Sequence, residues 1–95
     1  MGTIQEVKRF RVTIRRKIER KLWKLPANVQ KLLKILVLDL EERGPIQEGW
    51  PNFSALEEGR YHCHLTRSYV ACWKWDKGSI EIEVYYAGSR QGAPY

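Results

Sequence analysis

Two histidines stand two residues apart in the segment Arg60-Tyr61-His62-Cys63-His64-Leu65. On a strand that spacing puts both imidazoles on one face, opposite Tyr61, Cys63 and Leu65. If the larger apolar set is buried, the imidazoles face the open side. Imidazoles with cationic neighbours suit proton transfer near neutral pH and contact with phosphate. The same spacing also fits two histidines that merely decorate a strand. Neighbouring histidines can share an ion, but no carboxylate obviously joins them, so neither a metal nor a cofactor is expected. Cys63 and Cys72 fit no zinc spacing and make no disulfide framework, and they read as small core residues.

Which residues join the histidines depends on strand register. Thr66-Arg67-Ser68 reads as a short turn, and Tyr69 to Trp75 as a second strand dense in β-formers. With Arg67 at the turn's centre, His62 lies opposite Cys72, and Val70, Cys72 and Lys74 share the histidine face. A slip of one residue substitutes Tyr69, Ala71, Trp73 and Trp75, a stacking platform for bases. The first register is the expectation, because an exposed row of aromatics is costly and it leaves the tryptophans in the core.

These strands need a scaffold. Phe10, Val12 and Ile14 alternate with Arg9, Arg11 and Thr13, which predicts a short strand. Ile14, Ile18, Leu22 and Leu25 then recur at helical steps, with cations on the other faces. Pro26 punctuates, and Val29, Leu32, Leu33, Leu36 and Leu40 make a second amphipathic stripe ended by Gly44-Pro45. So short a connection predicts an antiparallel helical hairpin. Residues 44–59 form a connector pinned by Trp50, Phe53 and Leu56. Ser54-Ala55-Leu56-Glu57 has capping-box spacing, which predicts one helical turn. Asp76-Lys77-Gly78 is a hairpin turn, and Ile80, Ile82 and Val84 alternate through the last strand, Ser79 to Ala87. The tail after Gly88 adds Arg90, a candidate phosphate brace, and Tyr95, whose ring is either docked or free.

A length of 95 residues suits one domain, 1–95, with a modest core. No apolar run approaches the roughly 20 residues of a membrane span. Met1 to Glu6 lacks a signal peptide's apolar core, so no membrane partner and a cytoplasmic location are expected. The net charge of +6 is uneven. Residues 8 to 24 carry nine Lys and Arg against Glu19 alone, a balance of +8 that leaves −2 for the rest. Such asymmetry fits a polyanion or an acidic partner, or else a solvated helix face.

The β-α-α-β-β-β order, the strands Arg60 to Leu65 and Tyr69 to Trp75, and the ending Glu83-Val84-Tyr85-Tyr86-Ala87-Gly88-Ser89-Arg90 through Ala93-Pro94-Tyr95 resemble the RelE/ParE superfamily. These are small basic toxins of type II toxin–antitoxin systems. The resemblance covers nearly the whole chain and is most specific from Trp50 to Tyr95. It implies an α+β fold of RelE-like type, a mostly antiparallel sheet with a helical hairpin packed on one face. RelE-type members are ribosome-dependent endoribonucleases that cut mRNA and inhibit translation. ParE-type members inhibit DNA gyrase and are not nucleases.

The residue match favours the first type. His62 and His64 take the places of two basic residues that flank an apolar one in RelE-like nucleases. Arg90 matches an arginine after the glycine that ends the last strand, and Tyr95 approximately matches a tyrosine beyond it. The implied reaction is metal-independent attack of the RNA 2′-hydroxyl on its own phosphate. His62 or His64 would be the base, Arg90 with Lys74 the phosphate support, and Tyr95 or the other histidine the acid. Arg60, Arg67, Lys74, Arg15, Arg16 and Arg20 are the further candidates for phosphate and RNA contact. One departure is Val70, where many such nucleases carry an arginine, with Arg67 or Lys74 the candidates to compensate. The implied partners are a cognate antitoxin, in a toxin–antitoxin hetero-oligomer, and the ribosome with its mRNA. A non-enzymatic ParE-like gyrase inhibitor and a degenerate, inactive member are the alternatives.

Overall fold

The computed structural model describes residues 9–95. The polar N-terminal stretch 1–6 and Lys8 of the basic segment lie outside them. The elements are β1 (Arg11–Ile14), α1 (Arg16–Glu19), a 3-10 turn (Leu22–Lys24), α2 (Ala27–Arg43), β2 (Ser54–Glu57), β3 (Arg60–His64), β4 (Tyr69–Trp75) and β5 (Glu81–Ser89). They form an α+β fold with one five-stranded sheet in the order β1-β5-β4-β3-β2. Only the β1–β5 pair is parallel.

The amphipathic pattern of α2 is realised as expected. Val29, Leu33, Leu36 and Leu40 are buried against Tyr61, Cys63, Ala71, Trp73, Ile82 and Val84 from the sheet. At Gly44 φ is +89°, and a Cβ there would meet the Phe10 ring at 2.7 Å, so both conformation and space demand glycine. The connector is pinned by polar contacts as well as apolar ones. The Gln47 amide donates to Asp39 O at 3.0 Å and Gly44 O at 2.8 Å, and the Trp50 indole donates to Asp39 Oδ2 at 2.8 Å. Trp73 is fully buried and donates to Pro45 O at 3.1 Å. Phe53, Tyr61 and Trp73 stack with centroids 5.8 to 6.3 Å apart.

Two local expectations give way to long-range pairing. Ser54 to Glu57 is not a helical turn but the edge strand β2, with Ser54 opposite His62 and Ala55 opposite Tyr61. A four-residue helix must meet the full cost of nucleation, whereas the edge of β3 offers ready backbone partners. Likewise Ile14 ends β1, opposite Val84, as its alternation with Phe10 and Val12 predicts, and does not also start the helical stripe. Arg15 N–H continues the ladder by donating to Val84 O at 2.9 Å. With Leu25 extended before Pro26, the first arm of the expected hairpin shrinks to α1 and the 3-10 turn. Leu22 and Leu25 still pack on the core. Among the described residues no helix is long and apolar enough to cross a membrane.

Candidate functional site on the open face of the sheet

The helix covers one face of the sheet, and the opposite face carries the candidate chemistry. The register is the first of the two anticipated: His62 opposes Cys72, His64 opposes Val70, and Arg60 opposes Lys74. Alternation therefore places Arg60, His62, His64, Val70, Cys72 and Lys74 on one face and Trp73 in the core.

On β5 the pairing shifts between Cys72 and Trp73, so that Cys72 opposes Tyr86 while Trp73 opposes Val84. Tyr85 is the extra residue of this β-bulge. The bulge brings both tyrosines to the open face, between Glu83 on one side and Gly88 on the other. Simple alternation would have hidden one of them.

His62 is the centre of the arrangement. It is 8% exposed, with the Tyr95 ring 4.5 Å away and Ser54 Oγ 3.1 Å from Nδ1. Burial lowers its pKa below the ordinary 6.5; a hydrogen bond to the Ser54 backbone works against this, and the neighbouring His64 reinforces it. At neutral pH the imidazole is accordingly neutral and able to accept a proton. His64 is half-buried, with its ring 5.9 Å from that of His62. Burial, chiefly, raises the Tyr95 pKa, and the charge of Arg90 opposes the rise. The phenol keeps its proton at physiological pH. Cys72 and Cys63 are buried and free, and burial pushes both thiols up to about 12, so neither is a nucleophile at neutral pH.

The tail that carries Arg90 and Tyr95 is held by Tyr86, a residue that the sequence reading did not single out. Tyr86 Oη donates to Ser89 O at 2.7 Å. A Cβ on Gly88 or on Gly92 would come within 2.9 Å of that oxygen, so the hydroxyl is seated between two glycines. Gly92 N–H donates to Ser89 O and Ala93 N–H to Arg90 O, each at 3.2 Å, and the chain turns back over the sheet. Two glycines four apart, just beyond a tyrosine, were the available signal.

The cations divide into groups. Glu83 accepts from Arg15 at 3.0 Å and lies 3.4 Å from Lys74. The Arg15 hydrogen bond is the main reason its carboxyl is held below the usual range. The Arg15 and Arg60 guanidiniums lie 5.5 and 5.4 Å from the Tyr85 ring centre, and Arg60 also pairs with Glu57 at 3.4 Å. Arg67 and Arg90 line a separate hollow of about 720 Å³ at the β4–β5 end of the sheet. Arg16 and Arg20 are exposed on and just after α1, where the nearby concavity is lined instead by Lys17, Lys21 and Lys24. Val70 is fully buried. Lys74 lies four residues along the strand, about 13 Å from it, so it does not fill the space beside Val70.

On the helical side, Ile14, Leu22, Leu33, Val37 and Leu38 line an apolar groove of about 440 Å³ rimmed by Lys34.

By sequence the chain matches no family model and no curated protein. By fold it is similar to a chain of the archaeal RelE–RelB complex from Pyrococcus horikoshii OT3. That match has a TM-score of 0.71 and 17% identity, over 90% of this chain and 99% of the other. It is also similar to a chain of the YoeB–YefM complex from Staphylococcus aureus, with TM-score 0.66 and 13% identity over 84% and 95% of the two chains. The toxin–antitoxin complex RelBE2 from Mycobacterium tuberculosis gives 0.64 and 18% over 85% and 98%. The five-stranded, mostly antiparallel sheet with a helix packed on one face is therefore the fold of RelE-like toxins.

Proposed function

We propose that this chain is the toxin of a toxin–antitoxin pair and that it acts as a ribosome-dependent mRNA endoribonuclease. The observation that carries the reading is His62, a neutral imidazole braced by Ser54 and covered by Tyr95. In the proposed reaction His62 takes the proton of an RNA 2′-hydroxyl. The 2′-oxygen bonds to the adjacent phosphorus, the bond to the 5′-oxygen breaks, and a cyclic phosphate and a 5′-hydroxyl result. Arg90 offsets the charge of the phosphorane, and Tyr95 or His64 protonates the leaving oxygen. RNA reaches the His62 ring when Tyr95 tilts aside. Similarity to chains from the RelE–RelB and YoeB–YefM complexes supports the toxin assignment. The antitoxin would be an acidic amphipathic segment laid in the apolar groove beside α2, with Lys34 at its rim.

Primer extension on a reporter mRNA, in a reconstituted translation reaction with and without ribosomes, tests the reading. Codon-phased cuts only with ribosomes are expected. The double variant His62→Ala/His64→Ala should lose about 10²-fold or more. Unchanged cleavage in that variant would refute the site assignment. No cuts under either condition would turn attention to gyrase, through a supercoiling assay, or to an inactive toxin.

A further inference from the structure

Beside the His62 site, across Tyr86, lies a second concavity of about 530 Å³ between β5 and the segment of α1 and the 3-10 turn. Its cations are Arg15, Lys17, Lys21 and Lys24, and its floor includes Tyr85 and Tyr86. Among the described residues no carboxylate lines it. Arg15 is fixed by Glu83 at 3.0 Å and lies over Tyr85. Lys17, Lys21 and Lys24 pair with no carboxylate among the described residues, and all three are exposed. The steps of four and three between them keep these ammonium groups on one side of the turning chain.

Several uncompensated cations around two aromatic rings match an anionic ligand that also presents flat rings. Single-stranded RNA has that chemistry: phosphates for the lysines, and unstacked bases for the tyrosine faces. A duplex hides its base faces, and a purely acidic peptide leaves the rings unused. We propose that this concavity is a binding subsite for single-stranded RNA nucleotides flanking the phosphate presented to His62. The proposal rests on the ribonuclease reading for its place in the reaction, but the binding itself is measured without cleavage.

The test is fluorescence anisotropy of 5′-fluorescein-labelled hexauridylate with the full chain, across a salt series. Lys21→Ala/Lys24→Ala should weaken binding roughly tenfold and make the log–log salt slope shallower by about 1.4, at about 0.7 per lost phosphate contact on a single strand. Tyr85→Leu should cost about tenfold through lost stacking with little change in slope. Lys31→Ala/Lys77→Ala removes the same charge from exposed positions elsewhere and should leave affinity within about twofold. Equal weakening by the two lysine pairs would mean that net charge alone binds RNA, and would overturn the subsite. So would displacement of the labelled RNA by hexaglutamate as effective as displacement by unlabelled hexauridylate. If wild type binds this way but no ribosomal cleavage is seen, the nuclease reading falls while the RNA subsite stands.

Discussion

The seating of Tyr86 between Gly88 and Gly92 makes a double-mutant prediction. Tyr86→Phe removes the 2.7 Å hydrogen bond to Ser89 O. Such a bond contributes about 0.5–1.5 kcal/mol, so docking of the tail should weaken by roughly 2- to 13-fold. Gly88→Ala places a methyl 2.9 Å from Tyr86 Oη and 3.1 Å from Cζ. The ring must then move, the same hydrogen bond is lost, and crowding raises the cost to about 1–3 kcal/mol. Because both changes act through one hydroxyl, the double variant should cost less than the sum of the singles. The readout is the titration of the His62 ring by NMR. When the tail lifts, Tyr95 leaves the imidazole, desolvation eases, and the His62 pKa rises toward 6.5. Amide exchange at Gly92 and Ala93, whose N–H groups bond to Ser89 and Arg90, should quicken in parallel. The melting temperature should change little, since the tail is outside the core. An unshifted His62 titration in a folded Gly88→Ala variant, or strictly additive effects, would refute the reasoning.

Other outcomes follow from the same contacts. His62 has a depressed pKa in the fold, so the unfolded chain binds the proton more readily. Stability is then fully present above about pH 6.5 and falls as pH drops from there through the folded value; thermal melts should show this, and His62→Gln should flatten that part of the profile. Trp73→Phe leaves Pro45 O without its 3.1 Å donor and opens space in the core. Urea unfolding should register a loss of about 1–3 kcal/mol, with an unchanged m-value. Glu83→Gln frees Arg15 and Lys74 from a partly exposed carboxylate, so stability should move by less than about 1 kcal/mol. Its affinity for hexauridylate should rise and the salt slope steepen, and weaker binding would show instead that Glu83 serves by holding these cations in place.

The parts of the fold that could be read from the chain are those where local pattern and tertiary burial agree. The stripe of Val29, Leu33, Leu36 and Leu40 has the helical period and is the buried face of α2. The pairing of His62 with Cys72 followed from asking which register buries Trp73, and Trp73 is fully buried. The helical turn expected at Ser54 to Glu57, and the helical stripe expected to begin at Ile14 where the strand ends, fail for one reason. Their own neighbours suggest a cap and a helix, while their partners, His62 and Val84, lie distant in sequence and supply the backbone bonds that decide the outcome.

The candidate site was legible to the same degree. Strand spacing alone put His62 and His64 together, because period two is a local rule. What changes His62 from a surface histidine into a neutral, covered imidazole is not local. It needs Ser54 from the edge strand, Tyr95 from the tail, and Tyr86 turned outward by a bulge that breaks the alternation. A bulge leaves little trace in a run such as Val84-Tyr85-Tyr86-Ala87, since both tyrosines are equally good strand residues on either face. The trace it does leave is the pair Gly88 and Gly92, kept free of side chains where Tyr86 Oη must sit. Those glycines bear on the chemistry by an argument of space: a single methyl at either position pushes away the hydroxyl that anchors the tail, and with it the ring that keeps His62 dry.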